Sequence, residues 1–264
     1  MSLDETLLPK VQKNVPGIIG GTGTLAAIEF ETKLLELGTV RGACSDQEHI
    51  LWILINATAI PDRTKSLIGE VEDCTNYYVQ YSRILQKAGA DFIVTTCNTA
   101  HAFHDTVQKY ISIPWINLIE ITVNYIQTQF PETKKIGLLA TNGTLESKLY
   151  ENMLSNIGFQ CIYPTINSDI QKLVMDSIYD KEFGVKATGK AVSQNATKGF
   201  KKAARWLHAQ GAELLIAGCT EISVGLKYSD KLDFIWIDPL DVLAKVTHNL
   251  AYSDWLYRNS SGSH

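Results

Sequence analysis

The chain has 264 residues, is 45% hydrophobic and 20% charged, and carries a formal net charge of −4. A chain of this size buries a substantial core without disulfides or metals, as one large domain or two small ones. The acidic balance without a basic cluster argues against nucleic acid, and no apolar run approaches the roughly 18 residues needed to span a bilayer.

In chain order, Met1 to Asn14 is polar and mixed in charge, with no apolar segment of a secretory signal. Val15 to Ile19 reads as a strand, followed by a glycine turn and a helix to about Leu37. Ile50 to Asn56 is a second strand, and Glu70 to Ala88 has helical spacing that stops at Gly89. Phe92 to Thr95 is a third strand, Asn98 to Lys109 a helix, Pro114 to Asn117 a short strand, and a helix runs to Phe130. A second series follows: strand Lys135 to Leu139, helix Thr144 to Asn156, strand Phe159 to Tyr163, helix Ser168 to Tyr179. A long helix Lys190 to Gln210 ends at Gly211, before strands Glu213 to Ala217 and Phe234 to Ile237 and a closing helix Pro239 to Tyr257. Ser260 to His264 reads as a tail outside the fold. Strands alternating with helices imply an α/β fold whose mostly parallel sheets are covered on both faces.

The two series repeat. Gly17 to Leu25 aligns with Gly137 to Leu145, sharing two glycines, a threonine and a leucine. The segment around Cys97 aligns with that around Cys219 at nearly the same offset, about 120 residues, too long a period for a solenoid. The expectation is two pseudo-symmetric α/β lobes with the active site in the cleft between them. Residues 1–122 with 228–264 form the first lobe, the C-terminal helix returning to it, and 123–227 form the second.

Five cysteines, Cys44, Cys74, Cys97, Cys161 and Cys219, are odd in number and none forms a CxxC pair. Without a secretory signal they read as free thiols in a reducing cytoplasm, and no zinc cage is expected. Cys97 and Cys219 stand apart because each falls where a strand ends and a helix begins. Ligands of open α/β sheets bind at that end of the strands, and a helix N-terminus favours a thiolate. A single such cysteine is usually a small core residue. Two at matched positions, flanked by Asn98 and Thr99 and by Thr220 and Glu221, suggest that one takes a proton from a carbon while the other delivers one from the opposite side.

The chain resembles the aspartate/glutamate racemase family of amino-acid racemases that use no pyridoxal phosphate. The matching segments are Gly20, Gly21, Thr22 and Gly23; Ile60 to Thr64, containing Pro61, Asp62 and Arg63; Cys97 to His101; Gly184 to Ala187, containing Lys186; and Gly218 to Glu221. They cover about 200 residues in the family's order. Glu221 favours the aspartate branch, since glutamate racemases typically carry histidine there. Thr22 and Thr24 depart from the family's usual Met and Pro in the first loop, which bears on substrate size and polarity. The resemblance implies Cys97 and Cys219 as acid/bases and Arg63 and Lys186 as carboxylate-binding cations, consistent with guanidinium chemistry. It implies Asn98, Thr99 and Thr220 as donors to the developing charge, and Thr22, Gly23, Thr141, Asn142, Gly143 and Thr144 as pocket loops. His101 reads as a packing residue, and Glu221 as holding either Cys219 or the substrate ammonium. The implied activity is cofactor-independent interconversion of L- and D-aspartate, with no metal, a small amino acid as substrate and a homodimeric assembly.

Two other readings stay open at this point. Gly21, Gly23 and Ala26 match a dinucleotide-binding GxGxxA pattern, but the second strand ends near Asn56 with no acidic residue for a ribose. A related two-cysteine dicarboxylate isomerase would keep the fold and use one thiol as a nucleophile. A non-catalytic amino-acid sensor is disfavoured by the presence of both thiols.

Overall fold

A computed structural model describes residues 11–227 and 232–254. The expected tail and the last residues of the closing helix, including Tyr257, lie outside the described residues. Strand β1 (Pro16–Gly20) is fully buried, as a strand covered on both faces should be. It leads through residues 21–23 into α1 (Thr24–Val40). Then come β2 (Ile53–Asn56), a short helix α2 (Arg63–Leu67), α3 (Thr75–Lys87) and β3 (Phe92–Thr95). After β3 a 3-10 turn (Thr99–Phe103) precedes α4 (His104–Gln108), so the single helix expected from Asn98 is broken in two. The expected strand at Pro114 is one parallel bridge between Ile93 and Trp115. Helix α5 (Leu118–Gln129) follows, with the Asn117 side chain accepting from the Ile119 and Glu120 amides as a cap.

The second series contains β4 (Lys135–Ala140), α6 (Asn142–Glu146), α7 (Leu149–Asn156), β5 (Gln160–Ile162) and α8 (Asp169–Tyr179), capped by Ser168. Helices α9 (Val185–Thr188) and α10 (Gln194–Ala209) lead to β6 (Leu214–Gly218) and α11 (Thr220–Lys227). The last described elements are β7 (Trp236–Ile237) and α12 (Pro239–Tyr252). The helix expected over Thr144 to Asn156 is divided by Lys148, which adopts a left-handed φ of 53°. The expected helix from Lys190 starts at Gln194, capped by Ser193.

All strand pairs are parallel. The first sheet has the order β2-β1-β3 and the second β5-β4-β6-β7. Each lobe therefore sets its first strand in the middle, its second on one side and its third on the other. The aligned glycines do the same packing work in both. A Cβ at Gly17 would come within 2.8 Å of Ala90, and one at Gly137 within 2.9 Å of Ala212. Each glycine thus lets the turn before its neighbouring strand lie against the sheet.

Two buried clusters cover the two faces of each sheet. The C-terminal segment, expected to return whole to the first lobe, divides. Strand β7 pairs with β6 and extends the second sheet. Helix α12 places Leu240, Leu243 and Ala244 in the cluster with Ile18 and Phe30, and Val242 in the cluster with Ile136 and Leu138. It therefore packs against both lobes. A two-residue strand is too short to be assigned to a sheet from its own sequence, which is why the segment looked single. Among the described residues no helix is long and apolar enough to cross a membrane.

Candidate active site

The third strand of each lobe, β3 and β6, points its carboxyl end into the same cleft. Cys97 lies two residues beyond β3, at the start of the 3-10 turn, and Cys219 joins β6 to α11. Both are 8% exposed. They line one small inner cavity together with Thr22, Arg63, Asn98, Thr99, Thr141, Tyr179, Lys186, Thr220 and Glu221. Its free space, about 10 Å³, is roughly that of one water. A larger cavity of about 540 Å³ adjoins it, shares Thr22, Arg63, Lys186, Thr220 and Glu221, and adds Gly23, Thr24, Ile28 and Lys190.

Arg63 enters from the first turn of α2, which is capped by Asp62 accepting from the Lys65 amide. Its Nη2 donates to the Thr22 carbonyl at 2.7 Å and its Nη1 to the Pro61 carbonyl at 3.0 Å. Its Nε is buried without a protein partner. Asn98 accepts from the Tyr150 hydroxyl at 2.6 Å through Oδ1, while its Nδ2 is buried and unpartnered. Buried donors of this kind are costly unless a ligand takes them. Thr99, Thr141 and Thr144 form a cluster of hydroxyls across the cleft, with oxygen separations of 2.9–3.2 Å.

The Cys219 side is charged. Lys186 Nζ lies 2.5 Å from Glu221 Oε1. The other carboxylate oxygen accepts from Cys219 Sγ at 3.0 Å and from Thr220 Oγ1 at 3.1 Å. Burial would push the Glu221 carboxyl up, but the Lys186 ammonium and the Cys219 hydrogen bond outweigh it and hold it at about 2. Burial and the Glu221 carboxylate push the Cys219 thiol well above its ordinary value, against the opposing pull of Lys186. Cys219 is therefore a thiol at neutral pH in this arrangement, suited to donate a proton.

His101 does not line either cavity. It is buried, and burial, with His104 nearby, lowers it to about 4. The neutral ring directs its one N–H to the nearer carbonyl, that of Cys97, at 3.0 Å. It fixes the turn that carries the thiol.

Of the residues singled out from the sequence, the inner cavity gathers Thr22, Arg63, Cys97, Asn98, Thr99, Thr141, Lys186, Cys219, Thr220 and Glu221. Gly23 lines the outer cavity. Thr144 stands one layer back, behind Thr99 and Thr141. Asn142 is placed differently from the pocket position expected of it: its Oδ1 accepts from Gln171 and its amide faces the Met175 sulfur. One residue of the cavity went unforeseen. Tyr179, the last residue of α8, lines the cavity, and its hydroxyl donates across the cleft to Asp62 Oδ2 at 3.2 Å. No local motif marks it, although a buried tyrosine near a helix end is a place to look. All five cysteines are free, and among the described residues no group of three His, Cys, Asp or Glu is arranged to hold a metal ion.

A family model of Asp/Glu/hydantoin racemases matches residues 19–247. The structure of Picrophilus torridus aspartate racemase superposes with a TM-score of 0.76 at 27% identity, covering 90% of this chain and 94% of that one. An aspartate racemase homologue from Pyrococcus horikoshii has the same fold, with a TM-score of 0.70 at 21% identity over 91% of this chain and 100% of its own. In sequence, the broad specificity amino-acid racemase RacX of Bacillus subtilis is 34% identical over 79 residues, 30% of this chain and 34% of that protein. The glutamate racemase of Aquifex aeolicus is 26% identical over 154 residues, 58% and 55% of the two chains. The matched segments thus span from a third to just over half of these two relatives. With a family model running from β1 into α12, and the fold of racemases over nine-tenths of its length, the chain belongs to the Asp/Glu/hydantoin racemase family.

Proposed function

We propose that the protein racemises a dicarboxylic amino acid, aspartate, without a cofactor, by a two-base mechanism at Cys97 and Cys219. The observation that carries the reading is that thiols from equivalent positions of two similar lobes line one water-poor cavity. The substrate's α-carbon is deprotonated on one face, and the planar carbanion formed between the thiols is reprotonated on the other. One cysteine acts as thiolate and the other as thiol, so activity falls at both pH extremes. Arg63 Nε and Asn98 Nδ2 are the free donors on the Cys97 side and supply the α-carboxylate with partners as charge develops. Lys186 takes the second carboxylate. Glu221 serves Cys219 rather than the substrate ammonium, since its oxygens already face the thiol and the lysine. Thr22 and Thr24 line the outer cavity and give the entrance a polar wall.

The test is incubation with L-aspartate in deuterated water, following chirality and α-deuteration together, with L-glutamate in parallel. D-Aspartate carrying α-deuterium is the expected product. Cys97→Ser and Cys219→Ser each lower racemisation by about 10²–10⁴-fold, the range for a lost acid or base. Near wild-type turnover in either variant contradicts the two-base reading, and no exchange with either amino acid moves the substrate to other dicarboxylates. The reading includes a homodimer, and sedimentation as a single-chain species contradicts that part alone.

A further inference from the structure

The two cations of the cavity are held in different ways. Arg63 is fixed by two backbone carbonyls, which nothing in a substrate displaces. Lys186 is held by a carboxylate, Glu221, with its Nζ 5.4 Å above the Tyr179 ring. A substrate carboxylate therefore competes with Glu221 for Lys186 in kind, anion for anion. The same Glu221 binds the thiol through its other oxygen.

We propose, building on the racemase reading above, that Lys186 and Glu221 make the basicity of Cys219 depend on the substrate's second carboxylate: a dicarboxylic substrate takes Lys186, and the released Glu221 accepts the Cys219 proton. Lys186 and Glu221 are then specificity-determining residues that act on the rate of proton abstraction as well as on binding.

The geometry supports each step. Lys186, Glu221 and Cys219 form one chain with separations of 2.5 Å and 3.0 Å. Glu221 is only 7% exposed, so a carboxylate deprived of its ammonium partner there seeks a proton. The nearest donor is the Cys219 thiol already bonded to it. The other charged or titratable groups around the pair are Cys97, Arg63, Asp62, the Tyr179 hydroxyl and, on the wall of the outer cavity, Lys190, which has no contact with Glu221 comparable to that of Lys186. Arg63 and Asp62 are themselves neighbours, and Tyr179 is bonded to Asp62, so Lys186 is the cation whose loss Glu221 feels directly.

The protons balance. The Cys219 S–H bond breaks, and its proton passes to Glu221 Oε2. The thiolate removes the substrate's α-proton and becomes a thiol again. Cys97 gives its proton to the opposite face and becomes a thiolate. When product leaves, Lys186 returns to Glu221, Glu221 releases its proton to solvent and Cys97 takes one up. A substrate without a second carboxylate leaves Lys186 on Glu221, and Cys219 stays a weak base.

The test compares L- and D-aspartate with the enantiomers of the neutral isostere asparagine, by α-hydrogen exchange in deuterated water. It is run for the enantiomer whose exchange survives Cys97→Ser, since that one is deprotonated by Cys219. For the wild-type protein, kcat on aspartate is expected to exceed kcat on asparagine by about tenfold or more, a general-base effect. In Glu221→Gln, which keeps hydrogen-bonding capacity but accepts no proton, the kcat advantage disappears while aspartate still shows the lower KM. An anchoring role for Lys186 alone predicts the reverse: Glu221→Gln frees the lysine, lowers KM for aspartate and keeps any kcat ratio. Equal wild-type kcat for the two substrates overturns the proposal whether or not the variant folds. Absence of exchange with any dicarboxylic amino acid overturns the racemase reading itself, whereas exchange indifferent to the second carboxylate overturns only this inference.

Discussion

Arg63 spends two of its three nitrogens on holding the first loop of the site, through Thr22, to the turn at Pro61. The third, Nε, is buried without a partner, in a residue that lines the cavity. A lysine carries the charge but not the planar fork, so it cannot bridge both carbonyls and still present a donor. Arg63→Lys should lower kcat/KM for aspartate by about 10- to 100-fold, the size of one lost charged hydrogen bond. Steady-state kinetics check this, and an unchanged kcat/KM would show that charge alone suffices. Arg63 was legible in the sequence because it sits in a short turn whose residues match a pattern. Tyr179 was not, because its role depends on α8 ending opposite Asp62, a relation between the lobes that no local spacing encodes.

Helix α2 delivers Arg63, and α2 packs closely on α6 of the other lobe. A Cβ at Gly143 would lie 2.8 Å from Thr64 Oγ1 and 2.9 Å from its Cα. Real Cβ atoms do not come so near to backbone, so Gly143→Val must push the two helices apart. Arg63 neighbours Thr64 and moves with it. A displacement of about 1 Å can cost about 10² in rate, so kcat/KM should fall on that scale while circular dichroism keeps its helical signal. Retained activity would mean that α2 is positioned by the first lobe alone. At this scale the strands and long helices were readable because apolar runs and caps such as Asn117 and Ser168 mark them. The breaks were not. Lys148 takes a left-handed conformation that side chains rarely adopt, and the turn after Cys97 tightens to 3-10 around His101. The second of these breaks lies next to the site, where the local pattern yields to the need to place a side chain.

Across the whole molecule, the matching strand orders of the two lobes explain why two cysteines far apart in sequence share a cavity. Buried ionisable groups in and behind the two lobes' sheet ends also tie stability to pH. His101 is held neutral, with its pKa lowered to about 4 from 6.5. Below pH 6.5 the unfolded chain takes up a proton that the folded chain refuses until pH 4, so folding stability declines through that window. The full difference is roughly 3 kcal/mol. Glu221 has the opposite charge type and the same sign of effect. Its pKa is lowered from 4.5 to about 2, so its contribution is complete above pH 4.5 and disappears as pH falls toward 2. Asp238, whose carboxyl burial pushes up, works against these losses near its own titration. The clearest window for His101 therefore starts at pH 6.5 and runs down toward the ordinary carboxyl range. In that window urea midpoints of the wild type should fall as pH falls, while those of His101→Gln change less. The variant starts from a lower midpoint, because it loses the ring's packing against Trp115. Parallel slopes for the two proteins would mean that His101 takes up its proton in the folded state as readily as in the unfolded one. The second carbonyl near its ring, that of Ile116 at 3.4 Å, would then be a true acceptor for an imidazolium.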